Sequence, residues 1–227
     1  MIIQCDFDGT ITRNNSSVLL REKFARGDWH RIETEFLQGL LTVEQSNILQ
    51  YTFIKEPKEK LQQFVCQHVE VRPGFLEFVS YCQQNAIQFV IVSSGLDFYI
   101  DAVLAHIGIT DLEMYCGRAV FGNDGVSVYY TSPEGIKINE GFKYQYLNCL
   151  KKRGSPVIYI GDGLSDFQAA REASYVFATG HLLELLRAES VPCSRFIDFH
   201  DLARQLQRLP CLMSELDDVY DVSPSPQ

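Results

Sequence analysis

The amino-acid sequence predicts an α/β fold in which a doubly wound parallel sheet carries a helical cap inserted after the first strand. Apolar runs suited to buried strands occur at residues 2–5, 88–92, 157–160 and 175–179. Helical patterns lie between the later runs, as expected for parallel strands joined by crossover helices. More than 80 residues separate the first two runs, where a simple crossover needs only about a dozen. The surplus predicts an insertion at that point.

The helices of the predicted core are marked by apolar residues at helical spacing. One such stripe runs through 75–82, after Pro73, and another runs through 96–107. Gly108 follows the second stripe, at a position where a glycine commonly ends a helix. Strands and helices therefore alternate along this half of the chain.

The insertion has helical character throughout and begins just after the acidic turn that follows the first strand. We therefore expect a discontinuous core of residues 1–13 and 72–213, and a helical cap of residues 14–71. Within the cap, Thr42 followed by the Glu-Gln pair at 44–45 resembles the start of a helix. Because of this order, we expect the cap to lie over the residues that follow the first strand.

Two shorter segments depart from the alternation of strands and helices. The alternating stretch at 116–130 contains Asn123-Asp124-Gly125, which predicts a hairpin. Residues 214–227 are acidic and rich in proline and serine, so we expect a mobile tail there.

The composition limits the classes of partner. The chain has 227 residues, is 46% apolar and carries a formal net charge of −9. This charge argues against binding of nucleic acid or an anionic membrane, while a local site for a small anion stays open. The seven cysteines form no CxxC pair and are expected to be reduced. No signal peptide is expected, and no apolar run reaches 18 residues. These features predict a cytoplasmic protein, either a monomer or a homodimer.

The first strand leads into DFDGT, in which Asp6 and Asp8 stand two residues apart. Residues at this spacing in a strand point to the same side, so the two carboxylates can converge on one site. Gly9 and Thr10 then permit a tight turn. Taken alone, the string is more typical of an acidic turn, since aspartate and glycine favour turns. The ends of the other strands bear on this choice.

Polar residues also follow two other predicted strands. Ser93-Ser94-Gly95 ends the second strand and is predicted to open a helix, where a hydroxyl and free backbone N–H groups can hold phosphate. GDGLSD follows the run at 157–160 and contributes Asp162 and Asp166. Because ligands of open α/β sheets bind outside the carboxyl ends of the strands, we expect all these groups at one rim.

A cation is expected among these carboxylates, because four of them in one place repel strongly. Oxygen ligands without clustered histidine or cysteine favour Mg²⁺. Lys143 begins a predicted helix just before the strand that ends in GDGLSD, so its ammonium group can reach the same rim. Considered alone, such a lysine is more typical of a solvated surface.

Together these motifs resemble those of the haloacid-dehalogenase-like phosphohydrolases, over about 1–13 and 72–180. DFDGT resembles motif I, VSSG motif II, Lys143 motif III and GDGLSD motif IV. The resemblance implies a Rossmann-like core, a cap after motif I, and an Mg²⁺-dependent hydrolase of a small phosphorylated metabolite. A dehalogenase needs neither a metal nor an acid for an alkoxide leaving group, so Asp8 and Asp162 favour phosphate.

The resemblance also implies a role for each site residue. Asp6 would attack phosphorus and carry an aspartyl-phosphate, while Asp8 would act first as acid and then as base. The implied phosphate-binding residues are Thr10, Ser93, Ser94, Gly95 and Lys143. The implied Mg²⁺ ligands are Asp6, Asp162 and the backbone carbonyl of Asp8, with Asp166 as an outer acid that orients Lys143 or a metal-bound water.

Within the superfamily, the helical cap and the phrase SSGLDFYI resemble the phosphoserine phosphatase-like branch. Two departures argue against phosphoserine itself. Asn15 stands where those enzymes have an acidic residue for the substrate ammonium group, and Gln50 falls near their arginine for the substrate carboxylate. An unpaired buried charge costs several kcal/mol. A shift of alignment in the cap would restore a partner such as Glu44 or Arg21.

The sequence is more similar to the 2-hydroxy-3-keto-5-methylthiopentenyl-1-phosphate phosphatases of methionine salvage. The similarity covers DFDGTIT, the SGLDFYI region and the pair Tyr115-Cys116 before the hairpin. Such a substrate has an apolar thioether tail, which suits a cap rich in phenylalanine and leucine. Helix packing explains any single one of those apolar residues equally well.

Two other functions share parts of this pattern. A receiver-like module would accept a phosphoryl group on Asp6 and hold it, but it would have no use for Asp8 as an acid or for a long cap. A mutase or phosphotransferase would share all four motifs and differ from a hydrolase only in the acceptor.

Overall fold

One mixed sheet organises the fold. The computed structural model describes the chain through residue 220 and its side chains through residue 209. The strands of this part of the chain are β1 (Ile2–Cys5), β2 (Gln88–Leu96), β3 (Glu113–Gly122), β4 (Gly125–Thr131), β5 (Lys137–Ile138), β6 (Val157–Gly161), β7 (Tyr175–Ala178) and β8 (Ser194–Arg195). Their order in the sheet is β5-β4-β3-β2-β1-β6-β7-β8.

The six neighbouring strands β3-β2-β1-β6-β7-β8 are parallel, which confirms the predicted doubly wound core. At one edge, β4 and β5 add antiparallel strands. The turn between β3 and β4 falls at Asn123 and Asp124, as the hairpin signal predicts.

Strand β1 lies at the centre of the sheet, between β2 and β6. All four of its residues are buried, because a central parallel strand is covered on both faces. Cys5 is in register with Ile91 on one side and Ile160 on the other. The residues that follow Cys5 therefore leave the sheet between the carboxyl ends of β2 and β6.

Helices cover the sheet and form the segment inserted after β1. They are α1 (Ser16–Phe24), α2 (Trp29–Leu37), α3 (Val43–Gln50), α4 (Lys58–His68), α5 (Phe75–Gln84), α6 (Asp97–His106), α7 (Phe142–Lys151), α8 (Phe167–Arg171), α9 (Gly180–Ala188) and α10 (Phe199–Tyr220). Short 3-10 turns occupy Tyr51–Phe53 and Leu164–Asp166. The two predicted amphipathic stripes correspond to α5 and α6, and Gly108 just after α6 has a φ of +83°, as expected for a residue that ends a helix.

The predicted tail falls only partly within the described residues. Residues 214–220 continue α10, and residues 221–227 lie outside the described part of the chain. Through residue 220, no helix combines the length and the apolar character that crossing a membrane requires.

Helices α1 to α4 lie between β1 and α5, where the sequence predicts the cap. The two chain segments that connect them to the sheet run side by side. Thr12 forms a bridge with Val71, and the N–H of Arg13 donates to the carbonyl of Glu70 at 2.8 Å. Entry and exit of the inserted helices are thus held together.

Helix α3 anchors the inserted segment to the core. Thr42 begins it with a capping box, which agrees with the helix start predicted there. The carboxylate of Glu44 accepts from the backbone N–H of Phe142 at 3.0 Å. The side-chain amide of Asn47 donates to the backbone carbonyl of Ser94 at 2.9 Å. These contacts close a cavity between α3 and the carboxyl edge of the sheet.

Candidate active site

A cavity of about 210 Å³ lies between the carboxyl edge of the sheet and the inserted helices. Asp6 and Asp8 enter it from the turn after β1, Ser93 from β2, and Asp162 from the loop after β6. Lys143, the second residue of α7, lines the same cavity. The structure therefore brings together polar groups that are up to 156 positions apart in the sequence.

Lys143 is a buried cation beside the carboxylates of the site. Its Nζ atom lies 2.9 Å from Asp6 Oδ1 and 2.6 Å from Asp166 Oδ1, and it donates to the Ser165 hydroxyl at 3.0 Å. Burial opposes the charged form of this lysine, but the negative charges of Asp166 and Asp6 outweigh burial and raise its pKa. The ammonium group thus stays protonated at neutral pH.

Asp166 contacts Lys143 through its Oδ1, and both of its oxygens accept further hydrogen bonds. Besides Lys143, its Oδ1 accepts from the Tyr159 hydroxyl at 2.7 Å. Its Oδ2 accepts from the backbone N–H groups of Asp162 and Gly163, at 3.1 and 2.9 Å. The carboxylate is fully buried. Four donors leave it poorly suited to bind a metal directly, so this geometry supports the outer position expected for it.

Asp162 sits directly over the turn that follows β1. Its Oδ1 accepts from the Thr10 hydroxyl at 3.0 Å. Gly9 has a φ of +80°, and a Cβ atom there would lie 2.1 Å from Asp162 Oδ2, so only glycine fits. Thr10 was expected at the phosphate; instead, its side chain is buried against Asp162 and does not line the cavity.

Asp8 is held by one donor on each oxygen. Its Oδ1 accepts from the backbone N–H of Ser16 at 2.7 Å, and its Oδ2 accepts from the Tyr99 hydroxyl at 2.6 Å. Burial raises the pKa of Asp8, and these two hydrogen bonds act in the opposite direction. A carboxyl group with a raised pKa is suited to give and take a proton near neutral pH.

Residues Ser93, Ser94 and Gly95 do not open a helix as the sequence predicts. They belong to β2, which continues to Leu96, and α6 begins only at Asp97. The N–H of Gly95 donates to the Ser93 hydroxyl oxygen at 3.1 Å, so it is not a free donor at a helix start. Ser93, Ser94 and Gly95 nevertheless all line the cavity. The hydroxyl of Ser94 is buried and has no hydrogen-bond partner among the residues that the structure describes.

When they are ionised, the carboxylates of Asp6, Asp162 and Asp166 carry more negative charge than Lys143 balances. Burial, with the charge of Asp166, raises the pKa of Asp6 to about 7 and that of Asp162 to about 8. One oxygen each of Asp6, Asp162 and Asp166 lies within 4.8 Å of the others. A buried set of oxygen donors with surplus negative charge fits Mg²⁺. Because each oxygen of Asp166 already accepts from two donors, the side chains that could hold such an ion are those of Asp6 and Asp162.

Comparison with known families decides what kind of site this is. The family model of haloacid dehalogenase-like hydrolases matches residues 3–171. The chain belongs to this family. The matched range contains every side chain of the polar site described above, from Asp6 to Asp166.

Curated relatives of this haloacid dehalogenase-like hydrolase are named as phosphatases. A Brevibacillus brevis protein named 2-hydroxy-3-keto-5-methylthiopentenyl-1-phosphate phosphatase is 28% identical over 213 residues, which cover 92% of this chain and 96% of the relative. A Bacillus cereus protein of the same name is 30% identical over 209 residues, covering 90% and 95%. The chain is accordingly a phosphoric monoester hydrolase of the family.

Solved structures confirm the fold. A phosphoserine phosphatase carrying an analogue of its phospho-aspartyl intermediate gives a TM-score of 0.65 at 19% identity, over 90% of this chain and 97% of that one. A substrate-bound phosphoserine phosphatase gives a TM-score of 0.66 at 18% identity, with the same coverage.

The cap side of the hydrolase cavity has an apolar part. Phe36 of α2, Val43 of α3 and Leu164 of the turn after β6 line it. Leu164 is half exposed, unusual for a leucine beside a polar centre. A neighbouring cavity of about 190 Å³ shares these three residues and adds Leu41. The two cavities thus adjoin at an apolar strip formed by Phe36, Val43 and Leu164.

The cap side also has a polar part, built around an ion pair between buried Arg21 and partly exposed Glu33. Arg21 is 5% exposed, and its Nη2 lies 3.3 Å from Glu33 Oε2. The side-chain amide of Gln50 donates to the same carboxylate oxygen at 2.7 Å. Arg21, Glu33, Gln50 and Asn15 all line the cavity. The expectation that a zwitterion finds no charged partner is thus incomplete, because Arg21 and Glu33 supply one of each sign.

Sequence reasoning missed several residues that shape the site. Arg72 donates to the carbonyls of Gly9 and Thr10, at 2.6 and 2.8 Å, and so fixes the turn after β1 from the far side. The only indication in the sequence was that Arg72 stands where the chain is predicted to return from the cap to the core. Ser165 lies inside the GDGLSD motif, so it could have been named from the motif alone. Tyr99 lies within the SGLDFYI stretch, but the stretch does not indicate that its hydroxyl contacts Asp8, because that contact forms only in the fold.

Proposed function

We propose that this hydrolase cleaves a small phosphomonoester by way of an aspartyl-phosphate on Asp6, and that the ester is 2-hydroxy-3-keto-5-methylthiopentenyl 1-phosphate. One observation carries the mechanism: Asp6 is paired with Lys143 at 2.9 Å and shares a buried cavity with Asp8. The similarity to the Brevibacillus and Bacillus phosphatases supports the assignment of the substrate.

In the first step, an oxygen of Asp6 attacks phosphorus, and the bond between phosphorus and the ester oxygen breaks. Asp8 gives its proton to that oxygen, so the leaving group departs as a neutral alcohol. Lys143 offsets charge on the nucleophile and on the phosphoryl oxygens, and Ser93 contributes a hydroxyl at the same place. The raised pKa of Asp8 supports its role as the acid.

In the second step, water attacks the phosphorus atom of the aspartyl-phosphate and gives a proton to Asp8. The bond between phosphorus and Asp6 breaks, which releases inorganic phosphate and restores the Asp6 carboxylate. Asp8 thus acts as an acid in the first step and as a base in the second, and it ends the turnover protonated, ready for the next.

Asp6, Asp162 and the backbone carbonyl of Asp8 would hold Mg²⁺ in this proposal. When bound, the ion supplies positive charge that offsets the carboxylates and the phosphate group. The surplus negative charge described above supports this assignment, because Lys143 alone does not balance Asp6, Asp162 and Asp166.

The apolar strip between the two cavities supports a substrate with an apolar end. Phe36, Val43 and Leu164 line both the reaction cavity and the adjoining one, so an ester whose phosphate lies at Asp6 can extend its methylthio group along them. Burial of a side chain of this size contributes roughly 1.5–3 kcal/mol. Replacement of Leu164 by serine should therefore reduce kcat/KM for this ester by about tenfold, and Leu76→Ser on the exposed face of α5 is the matched control.

Phosphoserine is the second candidate, because Arg21 and Glu33 form a charged pair in the cavity. A carboxylate could pair with Arg21 and an ammonium group with Glu33, although Asn15 and Gln50 replace the charged residues expected at the two usual positions. The hydroxyl and keto groups of the methylthio ester could bind the same pair as donor and acceptor.

A substrate panel decides between the candidates. The purified protein with Mg²⁺ is assayed with the methylthio enol phosphate, phosphoserine, butyl phosphate and p-nitrophenyl phosphate. We expect kcat/KM for the methylthio ester to exceed that for phosphoserine by at least about tenfold. Phosphoserine turnover equal to or above it would overturn the substrate assignment. Undiminished activity in Asp6→Asn would overturn the mechanism.

A receiver-like role is disfavoured by the structure of the site itself. Asp8 lies in the cavity with both oxygens held, and a module that only stores a phosphoryl group needs no such acid. Rapid release of inorganic phosphate, rather than a long-lived phosphorylated chain, is the outcome that separates the two functions. Product analysis with added alcohols separates hydrolysis from transfer to another acceptor.

A further inference from the structure

The Asp8 carboxylate is held between the two parts of the protein. Its Oδ1 receives a hydrogen bond from the backbone of Ser16, the first residue of α1 in the inserted segment. Its Oδ2 receives one from the hydroxyl of Tyr99, in α6 of the core. One donor to Asp8 thus comes from a core helix and the other from the start of the inserted segment, and the core helix itself packs against α4, where Gln62 donates to the backbone carbonyl of Phe98 at 2.8 Å.

Tyr99 is fixed in place by tight packing. Its side chain is fully buried, and its ring lies edge-on to Phe98 with centroids 5.3 Å apart and tilted against Phe7 at 6.5 Å. A Cβ atom on Gly95 would lie 2.3 Å from the Tyr99 hydroxyl and 3.0 Å from Asp8 Oδ2. The backbone of β2 therefore leaves room for this hydrogen bond only because residue 95 is a glycine.

We propose that Tyr99 is the positioning residue for Asp8, whose hydroxyl keeps the carboxyl group aimed at the leaving-group oxygen and then at the attacking water. This inference rests on the proposed function, in which Asp8 is the acid and base. Tyr99 does not touch the reacting atoms and does not line the cavity. It acts through the 2.6 Å hydrogen bond to Asp8 Oδ2.

Two substrates with different leaving groups distinguish the two roles that Tyr99 could have, that of positioning the acid Asp8 and that of a general structural residue. Butyl phosphate releases a strongly basic alkoxide and needs the Asp8 proton. p-Nitrophenyl phosphate releases a stable phenolate, so formation of the aspartyl-phosphate needs little help from an acid. Hydrolysis of the aspartyl-phosphate needs Asp8 as base for both substrates. A variant with a misplaced Asp8 should therefore be impaired mainly with butyl phosphate, and should accumulate phospho-enzyme with the aryl ester.

The test uses Tyr99→Phe, which removes only the hydroxyl. We expect kcat/KM for butyl phosphate to fall at least about tenfold, since positioned acid–base catalysis contributes roughly 10²- to 10⁴-fold. For p-nitrophenyl phosphate, kcat/KM should change less than about threefold, and a burst of p-nitrophenolate should precede the steady state. In an Asp8→Asn background, Tyr99→Phe should cause no further loss with butyl phosphate.

Tyr146→Phe is the matched control. Tyr146 is also buried, and its hydroxyl donates to the backbone carbonyl of Thr131 at 3.2 Å, outside the cavity. It should leave the ratio of the two kcat/KM values unchanged. Equal losses with both substrates in Tyr99→Phe, or an undiminished rate with butyl phosphate, would overturn the proposal.

Two further measurements keep the outcomes distinct. If Tyr99→Phe does not fold, as judged by thermal melting, Tyr99→Leu, which also lacks a donor, is measured in the same way, and the ratio of the two substrates is again the readout. Asp8→Asn in the wild-type background tests the proposed function separately. If Asp8→Asn leaves butyl phosphate turnover unchanged, the proposed function fails; if it abolishes turnover while Tyr99→Phe has no effect, only the role of Tyr99 fails.

Discussion

The ammonium group of Lys143 lies 2.9 Å from the carboxylate of Asp6. Lys143 comes from the start of α7 and Asp6 from the end of β1, and both are almost completely buried. Asp166 holds the lysine from the other side at 2.6 Å. One cation thus links the proposed nucleophile to the loop after β6, and its removal should affect both stability and activity.

Lys143→Met should destabilise the metal-free protein by about 3 kcal/mol, because loss of one partner leaves buried carboxylates uncompensated. It should also reduce kcat by roughly 100-fold or more, since a charge that stabilises the transition state is lost. Urea unfolding and steady-state kinetics measure the two effects. Lys151→Met on the exposed end of the same helix is the control, and it should change the unfolding free energy by less than about 0.5 kcal/mol. Equal effects of the two substitutions would contradict the role given to Lys143.

The stability of the metal-free protein should depend on pH through Asp6 and Asp162. Their pKa values are about 7 and about 8 in the folded protein, against about 4 in an unfolded chain. The folded state therefore binds protons more tightly, and the free energy of unfolding should rise as the pH falls from about 8 towards 5. Thermal melting in EDTA checks this. The rise should be smaller in Asp162→Asn, and an identical pH dependence of the two proteins would refute the assignment.

Mg²⁺ should stabilise the protein through Asp6 and Asp162. At 100 times its Kd the ion should add about 2.7 kcal/mol to the unfolding free energy, because it binds only the folded state. Thermal melting across an Mg²⁺ titration is the measurement. Asp162→Asn should weaken the response strongly, whereas Asp111→Asn, at an exposed carboxylate outside the cavity, should not. A full response in Asp162→Asn would place the ion elsewhere.

Arg72 should matter for catalysis although it lies outside the cavity. Its guanidinium group holds the carbonyls of Gly9 and Thr10, so Arg72→Met should loosen the turn that carries Asp8. We expect kcat to fall about tenfold or more with a smaller change in KM, since small displacements of catalytic groups are costly. Arg13→Met is the control. Arg13 lies in the segment that leads into the inserted helices, where it is half exposed and paired with Glu70. Its replacement should have little effect on kcat. A fall in kcat of the same size in both variants would show that Arg72 has no special role.

Much of the core and of the site could be predicted from the sequence, because the signals are local. A continuous apolar run predicts a central parallel strand, and polar residues after such strands meet at one edge. Asp6, Asp8, Ser93 and Asp162 follow this rule directly. Lys143 follows it less directly, because its role depends on α7 packing beside β6.

The remaining features depend on contacts between distant parts of the chain. Thr10 sits in the predicted motif, yet its hydroxyl turns to Asp162, because the glycine before it lets the loop after β6 approach. Arg21 and Glu33 meet only when α1 and α2 fold together, and spacing in the sequence does not indicate such a pair. Tyr99 reaches Asp8 across 91 positions. Contacts of this kind require the folded arrangement.

The central claim is that Asp6 carries the phosphoryl group. The most direct test mixes Asp8→Asn with p-nitrophenyl phosphate and Mg²⁺, quenches in acid, and maps the chain by peptide mass spectrometry. Because this variant lacks the base for the second step, we expect one phosphoryl group per chain, located on Asp6, and none in the Asp6→Asn, Asp8→Asn double variant. Release of p-nitrophenolate without phosphorylation of Asp6, or phosphorylation of a different residue, would contradict the proposed mechanism.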